Sequence, residues 1–374
     1  PAAFLTCPRR SLPSRKGRGS QRVVSVADGG HASDAPKRSY AAAVLPILCL
    51  LSTVGNQMSF RFVLVPMGQL THLLSVSINL VYIVVFAFLC WCNKRSGSLS
   101  DDDLKFAFSG PGRWPLVGAG LSECVAFTLM PLFARRLPGS MLAVLSKSMI
   151  IFSMLLSSIA FKRRYSAVQC LGVAVVMLGI AICTYPKYLA EAAAATTGEP
   201  VAFIANATGL LLSYAFIAAS FVFKEMAVRR HSADNHSGKL NGSVVNLVAA
   251  LSQCLALWIL WPFNFAFITP LNPKAYFAKA IAVLSSPASA SLVMGYAAMN
   301  IYYLVLSLAV ISRLSSVAAL LIGAGAVPIS GLLFCLKWPL LGAEAFSWYL
   351  VGGLVVIFAG LLTYNSNNLK ASRS

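Results

Sequence analysis

Long apolar runs separated by short polar connections dominate the chain. We expect ten such runs, at residues 41–65, 68–92, 115–134, 139–161, 166–185, 201–227, 243–267, 288–311, 315–336 and 347–364. A helix needs roughly 20 mostly apolar residues to cross a bilayer, and the runs have about that length. The pattern therefore predicts an all-α polytopic membrane protein with about ten transmembrane helices and the lipid bilayer as its main partner.

The overall composition agrees with this pattern. Of the 374 residues, 58% are hydrophobic and 11% are charged, whereas soluble domains keep about a quarter of their residues charged. The net charge of +19 would suit nucleic acid, but no basic face interleaved with aromatic residues occurs, so we expect no nucleic-acid partner. The nine cysteines form no C-x-x-C pair, and we expect neither a metal nor a cofactor.

Basic residues are unevenly distributed over the predicted connections. Beyond residue 40, the connections on the side of the N-terminal tail, together with the C-terminus, hold thirteen Lys and Arg residues, and the opposite side holds six. Such a bias marks one face of a membrane protein. It indicates an even number of spans, with both termini on the basic side.

The first 40 residues form a separate basic tail. They hold eight basic residues against two acids and are rich in Ser. This composition is typical of an organelle transit peptide, and the apolar core of a secretory signal is missing. The alternative is a disordered basic tail on the cytosolic face of another membrane.

The third to fifth spans can be laid over the eighth to tenth. Each triplet contains a helix of small residues that ends in a basic turn, at Lys162 or Lys337, and then a span with spaced glycines. These glycines are Gly172 and Gly179 in one triplet and Gly352, Gly353 and Gly360 in the other. Five spans per half make the second half enter from the opposite side, as in secondary transporters. We therefore predict two inverted five-helix repeats, residues 41–190 and 200–366, with chance similarity of apolar helices as the alternative.

Polar side chains within the spans are the candidate functional residues, because a charge at the centre of a membrane helix costs about 2.5–3.5 kcal/mol. The ten candidates for a substrate-binding cavity are Asn56, Gln57, Arg61, Glu123, Lys147, Lys224, Glu225, Asn246, Gln253 and Asn300. They come from both halves, as a shared central cavity requires. The three cations and two anions among them sum to +1, which favours an anionic or zwitterionic solute.

Several candidates have structural alternatives. Arg61 lies about one turn from a helix end and could extend its charge to the interface. Lys224 and Glu225 could mark the membrane boundary. Asn246 and Gln253 share one helix face and could cross-link helices.

Lys147 and Glu123 fall well inside their spans. They would either pair with one another as a structural bridge or present opposite charges to a solute. In the ninth span, the segment Gly323-Ala324-Gly325-Ala326 precedes Pro328. This segment would permit either close helix packing or a break in the helix near the membrane midplane.

Several short motifs together keep the order and spacing of a known family. They are Val54-Gly55-Asn56, Val65-Pro66, Glu123, Leu137-Pro138-Gly139, Val144-Leu145-Ser146, Arg163-Arg164-Tyr165, Lys224-Glu225, Val244-Val245-Asn246 with Gln253, and Ser315-Ser316 with Pro328. Over about residues 50–365 the chain resembles the chloroquine-resistance-transporter-like family, part of the drug/metabolite transporter superfamily. The resemblance implies ten helices in two inverted halves that work by alternating access. It also implies that Asn56 and Gln57 face the solute cavity, as the matching residues do in the malarial relative.

The resemblance also implies a cargo and a location. Plant members are plastid-envelope carriers of glutathione and γ-glutamylcysteine, whereas parasite members work in a digestive vacuole and move peptides, amino acids or drugs. Two departures from the family pattern matter here. Lys147 stands where we expect Gln, and the connection at 268–287 has no Cys, so the disulfide-braced loop of the vacuolar members is absent.

We therefore expect a secondary transporter of glutathione, γ-glutamylcysteine or a related thiol peptide in a plastid (chloroplast) envelope, with a vacuolar or other endomembrane as the alternative. The small-molecule substrate would be an organic anion or zwitterion, and a proton is a candidate coupling ion. An amino acid, peptide, nucleotide sugar or drug-like cation is the alternative cargo in the same fold. An intramembrane enzyme is a remote alternative, because the spans hold one His, His72, and two isolated acids, Glu123 and Glu225, without a catalytic motif.

Overall fold

The computed structural model describes residues 35–137, 139–194, 200–234, 240–269, 271–343 and 346–371. The α-helices in these ranges are α1 (Ala35–Met67), α2 (Thr71–Arg95), α3 (Asp101–Phe108), α4 (Arg113–Ala134), α5 (Gly139–Leu145), α6 (Met149–Phe161), α7 (Ala167–Ala194), α8 (Pro200–Asp234), α9 (Gly242–Ile259), α10 (Trp261–Phe263), α11 (Pro273–Ser285), α12 (Pro287–Ile311), α13 (Ser316–Ala324), α14 (Ala326–Cys335) and α15 (Trp348–Ala371). Residues 1–34 of the predicted tail lie outside the described residues.

Among the described residues, eight helical segments are long and apolar enough to cross a membrane. They are Val44–Met67, Thr71–Arg95, Arg113–Ala134, Met141–Phe161, Ile204–Ala233, Gly242–Ile259, Pro287–Ile311 and Ser316–Cys335. Two shorter apolar segments, Ala167–Cys183 and Trp348–Tyr364, coincide with the predicted fifth and tenth spans. The all-α polytopic membrane fold is thereby confirmed, and the count of ten spans stays a prediction.

Two helices occupy stretches that we predicted as connections between spans. α3 begins at a capping box in which the Ser100 hydroxyl accepts from the Asp103 amide while the Asp103 carboxylate accepts from the Ser100 amide. α11 begins where the Asn272 side chain accepts from the Ala275 amide. Such caps each stabilise a helix start by about 1 kcal/mol. Capping side chains determine where these two short helices begin. Apolar periodicity, read over a long window, does not detect helices of this length.

The seventh span ends earlier than predicted. Its regular helix, α9, stops at Ile259, and the chain continues through the three-residue α10 and a π-turn at Asn264–Ile268. Pro262 explains the interruption, because it stands at the start of α10 and proline has no N–H to donate to the preceding turn.

Two membrane segments, the fourth and ninth predicted spans, lose regular α-helical geometry in the middle, although the backbone at these points stays in the right-handed helical region. The fourth consists of α5, a 3₁₀ turn at Ser146–Ser148, and α6. The ninth consists of α13 and α14, separated by Gly325. α6 packs against α13, and α5 packs against α14. We call these two interrupted segments the broken pair.

The fifth and tenth predicted spans, in α7 and α15, pack backbone to backbone. A Cβ atom added at Gly172 would lie 2.9 Å from the Gly360 carbonyl oxygen, and one at Gly179 would lie 2.7 Å from that of Gly353. The reverse contacts are equally close, at 2.7 Å from Gly360 to the Gly172 oxygen and 2.6 Å from Gly353 to the Gly179 oxygen. Only residues without a Cβ permit this approach. We call these four residues the glycine seam.

Candidate substrate cavity

A central cavity lies where helices from both predicted halves meet. The space free of protein atoms amounts to about 920 Å³, counting the part that opens to solvent. Its lining comes from α1, α4, α8, α12, α13 and the broken fourth span. Five of the ten predicted residues line it, namely Asn56, Gln57, Glu123, Lys147 and Asn300.

Asn56 and Asn300 join α1 to α12 across the cavity wall. The Asn300 amide nitrogen donates to the Asn56 side-chain oxygen at 2.8 Å and to the Tyr296 hydroxyl at 3.2 Å. The Asn300 oxygen accepts from the Tyr82 hydroxyl at 2.5 Å. Buried amides need such partners, because an unpaired polar group in a low-dielectric interior is costly. The two residues are therefore held in fixed orientations beside the cavity.

Glu123 forms a buried ion pair with Lys224. The Lys224 Nζ lies 2.7 Å from the Glu123 Oε1, and the Ser220 hydroxyl donates to the same oxygen at 2.6 Å. Lys224 and Ser220 occupy one face of α8 because they are four residues apart. Lys224 itself does not line the cavity. It lies behind Glu123 and neutralises its charge.

Lys147 projects from the break of the fourth span to the break of the ninth. Its Nζ donates to the Gly323 backbone carbonyl at 2.8 Å, and the side chain is 3% exposed. Gly323 lies in the last turn of α13, where carbonyl groups lack helical donors and a cation is favourable. The pairing of Lys147 with Glu123 that we raised as an alternative is not formed. Within the described residues, no carboxylate forms an ion pair with Lys147.

Gln57 of α1 bridges the two members of the broken pair. Its side-chain oxygen accepts from the Ser330 hydroxyl in α14 at 2.7 Å. Its amide nitrogen donates to the Ser146 hydroxyl in the 3₁₀ turn at 3.4 Å. One side chain of the cavity lining thus contacts both interrupted spans.

Glu225 lies outside the cavity lining and anchors the outer end of α13. Its Oε2 accepts from the Ser316 backbone amide at 2.8 Å and from the Ser316 hydroxyl at 2.6 Å. Its Oε1 lies 2.9 Å from Arg229 and 3.3 Å from Arg163. Glu225 is 2% exposed and is therefore buried within the protein.

The three remaining predicted residues also lie outside this lining. Gln253 accepts from the Asn79 amide at 2.9 Å and so links α9 to α2, which agrees with the helix cross-link we considered. Asn246 is 3% exposed within α9. Arg61 donates to the Ala134 carbonyl at 3.4 Å, near the end of α1.

Aromatic residues form much of the lining, and our sequence reasoning missed them. Tyr214 and Phe221 line it from α8, and Tyr296 and Tyr303 line it from α12. Within each pair the residues are seven apart, which places both on one helix face. This seven-residue spacing indicates a shared helix face, which could line a cavity. Aromatic residues at helical spacing are also typical of an ordinary apolar core. Asn300, between the two tyrosines of α12, distinguishes that face from a purely apolar one.

A membrane-embedded helical fold around a buried polar cavity defines the class, a polytopic membrane transporter. Comparison with known families gives the particular one. The sequence profile of the CRT-like family, described as chloroquine-resistance transporter-like, matches residues 43–284. The chain belongs to the CRT-like family, and the resemblance inferred from its motifs is confirmed.

Curated relatives agree with this assignment. The chain is 25% identical over 363 residues to the protein named CLT3, chloroplastic, of Arabidopsis thaliana, covering 92% of this chain and 76% of the relative. It is 22% identical over 374 residues to CLT2, chloroplastic, of the same plant, covering 97% and 83%. It is 27% identical over 187 residues to the chloroquine resistance transporter of Toxoplasma gondii, covering 50% and 20%.

Proposed function

We propose that this transporter moves a small anionic or zwitterionic organic solute, specifically glutathione, γ-glutamylcysteine or a related thiol peptide, across a plastid envelope by alternating access. The charge at the cavity is the observation that carries the proposal. Glu123 is neutralised by Lys224, whereas Lys147 has only a neutral carbonyl at its Nζ. When Lys147 is protonated, the cavity therefore has a local excess of one positive charge, which a substrate carboxylate would balance.

The uncharged polar groups of the lining suit a peptide. Asn56, Gln57 and Asn300 offer amide donors and acceptors, and peptide groups require both. The tyrosines add hydroxyls that donate or accept. A thiol peptide carries carboxylates, which Lys147 would balance, and amides, which the amide side chains of the lining would pair with.

The broken pair supports alternating access. Interrupted helices at matching positions in two halves are typical of secondary transporters, in which one half moves against the other around a central site. Here the interruptions meet at Lys147 and Gly323. A solute carboxylate that competes with the Gly323 carbonyl for Lys147 would weaken one link between the halves as it binds.

The plastid location rests on two independent features. The relatives CLT3 and CLT2 are named as chloroplastic, and the basic, acid-poor tail at residues 1–40 has the composition of a transit peptide. A fluorescent protein fused after residue 45 should reach plastids, and a secretory or vacuolar signal would contradict this part of the proposal.

Uptake by proteoliposomes tests the cargo. Vesicles containing the full chain should accumulate labelled glutathione or γ-glutamylcysteine, with and without an imposed proton gradient. Lys147→Gln should lower uptake of these anions by roughly tenfold or more while folded yield changes little, because a hydrogen bond to a charged group contributes about 1.5–3 kcal/mol. Lys337→Gln removes an exposed lysine and serves as the matched control. Equal losses of folded protein and uptake in Lys147→Gln would instead indicate a structural bridge.

A second candidate cargo is a nucleotide sugar or a drug-like cation, and the aromatic lining favours it. Tyr214, Phe221, Tyr296 and Tyr303 offer ring faces that stack on a base or attract a cation. Uptake of a labelled nucleotide sugar without uptake of either thiol peptide would replace the first cargo with this one.

Coupling to protons would need a titratable group close to the solute. Glu123 is the carboxylate that lines the cavity among the described residues. If a proton gradient drives uptake, Glu123→Gln should abolish the dependence on the gradient while leaving exchange of internal for external solute measurable.

A further inference from the structure

A chain of hydrogen bonds runs from the interior of the protein to the wall of the substrate cavity. It begins at Tyr82 of α2, which is 3% exposed and lies outside the cavity lining. The Tyr82 hydroxyl is 2.5 Å from the Asn300 side-chain oxygen. The Asn300 amide nitrogen is 2.8 Å from the Asn56 side-chain oxygen and 3.2 Å from the Tyr296 hydroxyl. The direction of donation along this chain decides what the wall offers to a solute.

The Tyr82 hydroxyl fixes that direction. Within the described ranges, Asn300 is the one side chain that hydrogen-bonds to it, and a buried O–H without an acceptor is costly. The 2.5 Å separation also matches O–H···O geometry, since N–H···O bonds are longer, at about 2.7–3.2 Å. Tyr82 therefore donates and the Asn300 oxygen accepts. The Asn300 amide nitrogen must then donate to both Asn56 and Tyr296.

The far end of the chain leaves hydrogen-bond donors on the cavity wall. The Asn56 oxygen is occupied by Asn300, and the Asn56 amide nitrogen has no acceptor among the described residues. The Tyr296 oxygen accepts from Asn300, so its own proton remains for a bond to a solute. Lys147 adds an ammonium group with several N–H donors, one of which is bound to the Gly323 carbonyl.

The amide oxygens of the same lining are already in use. The Asn300 oxygen accepts from Tyr82, and the Asn56 oxygen accepts from Asn300. The Gln57 oxygen accepts from Ser330. The amide groups of the lining that have no partner inside the described protein are thus N–H groups.

We propose that Tyr82, acting through Asn300, fixes this part of the cavity wall as a hydrogen-bond donor surface that selects the carboxylate of the solute. Tyr82 is then a positioning residue, which sets selectivity without contacting the solute. The proposal rests on the proposed transport of an anionic or zwitterionic solute and names the groups that recognise it. Fixed donors suit a carboxylate, because charge-assisted hydrogen bonds are about twice as strong as neutral ones and preorganised groups need no reordering on binding.

The hydroxyl of Tyr82 is the element that prevents the opposite arrangement. Without it, the Asn300 amide could turn over and accept from Asn56 and Tyr296. Asn56 would then present its oxygen to the cavity, and Tyr296 would present its lone pairs. The wall would change from donors to acceptors with no change in its charge or shape.

Equilibrium binding to the purified full chain in detergent tests the proposal. The probes are glutathione and its diethyl ester, which keeps the ammonium group but lacks the free carboxylates. The readout is the ratio of the two dissociation constants, because a general loss of structure weakens both. Tyr82→Phe should lower the preference for glutathione by roughly two- to tenfold.

Tyr276→Phe is the matched control. The Tyr276 hydroxyl is also buried and accepts from the Leu73 backbone amide at 3.1 Å, but Tyr276 lies outside the cavity lining. Its removal costs a buried hydrogen bond of the same kind and should leave the ratio of dissociation constants unchanged.

Two further variants act at the wall itself. Asn300→Asp replaces the donating nitrogen with an oxygen, so that Asn56 and Tyr296 both donate to it. The preference should then invert in favour of the cationic ester. Tyr296→Phe removes one wall donor while keeping the ring, and it should lower the preference for glutathione. This variant decides the outcome if Tyr82→Phe does not fold.

The outcomes separate this proposal from the proposed cargo. An unchanged ratio in Tyr82→Phe, or an equal fall in Tyr276→Phe, overturns the donor surface. If the wild type binds neither thiol probe, the proposed cargo fails, and uridine diphosphate glucose with uridine becomes the probe pair. A preference for that nucleotide sugar that falls in Tyr82→Phe supports the donor surface with another cargo. No preference for the anion in either pair overturns it.

Discussion

Two pairs of spans connect the predicted halves, and they do so in opposite ways. At the glycine seam, α7 and α15 meet through backbone atoms at distances that exclude any side chain. At the broken pair, the contacts are polar and made by side chains, including Lys147 to the Gly323 carbonyl and Ser153 to the Ser316 hydroxyl. The first contact is close packing of backbone atoms, whereas the second consists of hydrogen bonds made by side chains.

This difference indicates which of the two interfaces can change its contacts. Close packing between small residues drives helix association in membranes, and it is lost when the helices separate. Hydrogen bonds at the edge of a polar cavity can be exchanged for bonds to water or to a solute at a small net cost. We therefore expect the glycine seam to hold the halves together while the broken pair changes its contacts during transport.

The largest effect is expected at the glycine seam, where two adjacent glycines allow a matched comparison. A Cβ at Gly353 would lie 2.3 Å from the Cys183 sulfur and 2.6 Å from the Gly179 oxygen, whereas one at Gly352 meets nothing within 4 Å. Gly353→Leu should destabilise the protein by about 3 kcal/mol or more through overpacking. Gly352→Leu should fold as the wild type does, as judged by size-exclusion profile and thermal unfolding. Equal behaviour of the two variants would show that the seam does not hold the halves together.

A smaller loss is expected at the outer end of the broken pair. Glu225→Ala leaves the Ser316 amide without its acceptor and removes the partner of Arg163 and Arg229. The expected loss of unfolding free energy is about 2–3 kcal/mol, because a charged hydrogen-bonding partner at a helix start is removed. Asp101→Asn, which affects an exposed ion pair with Lys94, is the control and should change the unfolding temperature little. An unchanged unfolding temperature in Glu225→Ala would mean that α13 is not anchored by this carboxylate.

Sequence reasoning predicted these two regions to different degrees. Gly172, Gly179, Gly353 and Gly360 stand out because glycine spacing is visible along the chain and equivalent in both triplets. Their pairing across α7 and α15 required the tertiary structure. Close helix packing and a helix break were the two alternatives for Gly323 to Ala326, and the structure shows a local irregularity at Gly325, where the backbone remains right-handed helical. The break in the fourth span has no glycine or proline at the Ser146–Ser148 turn, so propensity does not indicate it.

The charged residues of the candidate site could be predicted from the sequence. Glu123 and Lys147 stand out because an ionisable group inside an apolar run is costly. Their partners were not predictable, because Lys224 and the Gly323 carbonyl reach them only through the packing of α8 and α13. No residue type or spacing in the sequence indicates which backbone carbonyl group near a helix end accepts a hydrogen bond from a side chain.

A still smaller effect is expected from the bridge that Gln57 makes between the interrupted spans. Removing the Ser330 hydroxyl in Ser330→Ala, or the amide in Gln57→Leu, should each cost about 0.5–1.5 kcal/mol of unfolding free energy. The double variant should cost less than the sum, because both changes remove the same 2.7 Å hydrogen bond. A double-mutant cycle on thermal unfolding, repeated with solute present, measures this coupling. Strict additivity would mean that Gln57 and Ser330 do not interact.

The smallest effect is expected at Gly323, although it lies at the centre of the broken pair. A Cβ there would make only ordinary contact, at 3.6 Å from the Thr53 hydroxyl, and the backbone carbonyl that accepts from Lys147 would remain. Alanine is favoured over glycine in a helix by about 1 kcal/mol, so Gly323→Ala should leave folding unchanged or slightly improved. Uptake should also stay close to that of the wild type, since Lys147 keeps its acceptor. A large loss of uptake with an intact unfolding temperature would mean that α13 needs the freedom of glycine in another state of the transport cycle. The glycine seam and the broken pair would then differ in backbone flexibility as well as in their side-chain contacts.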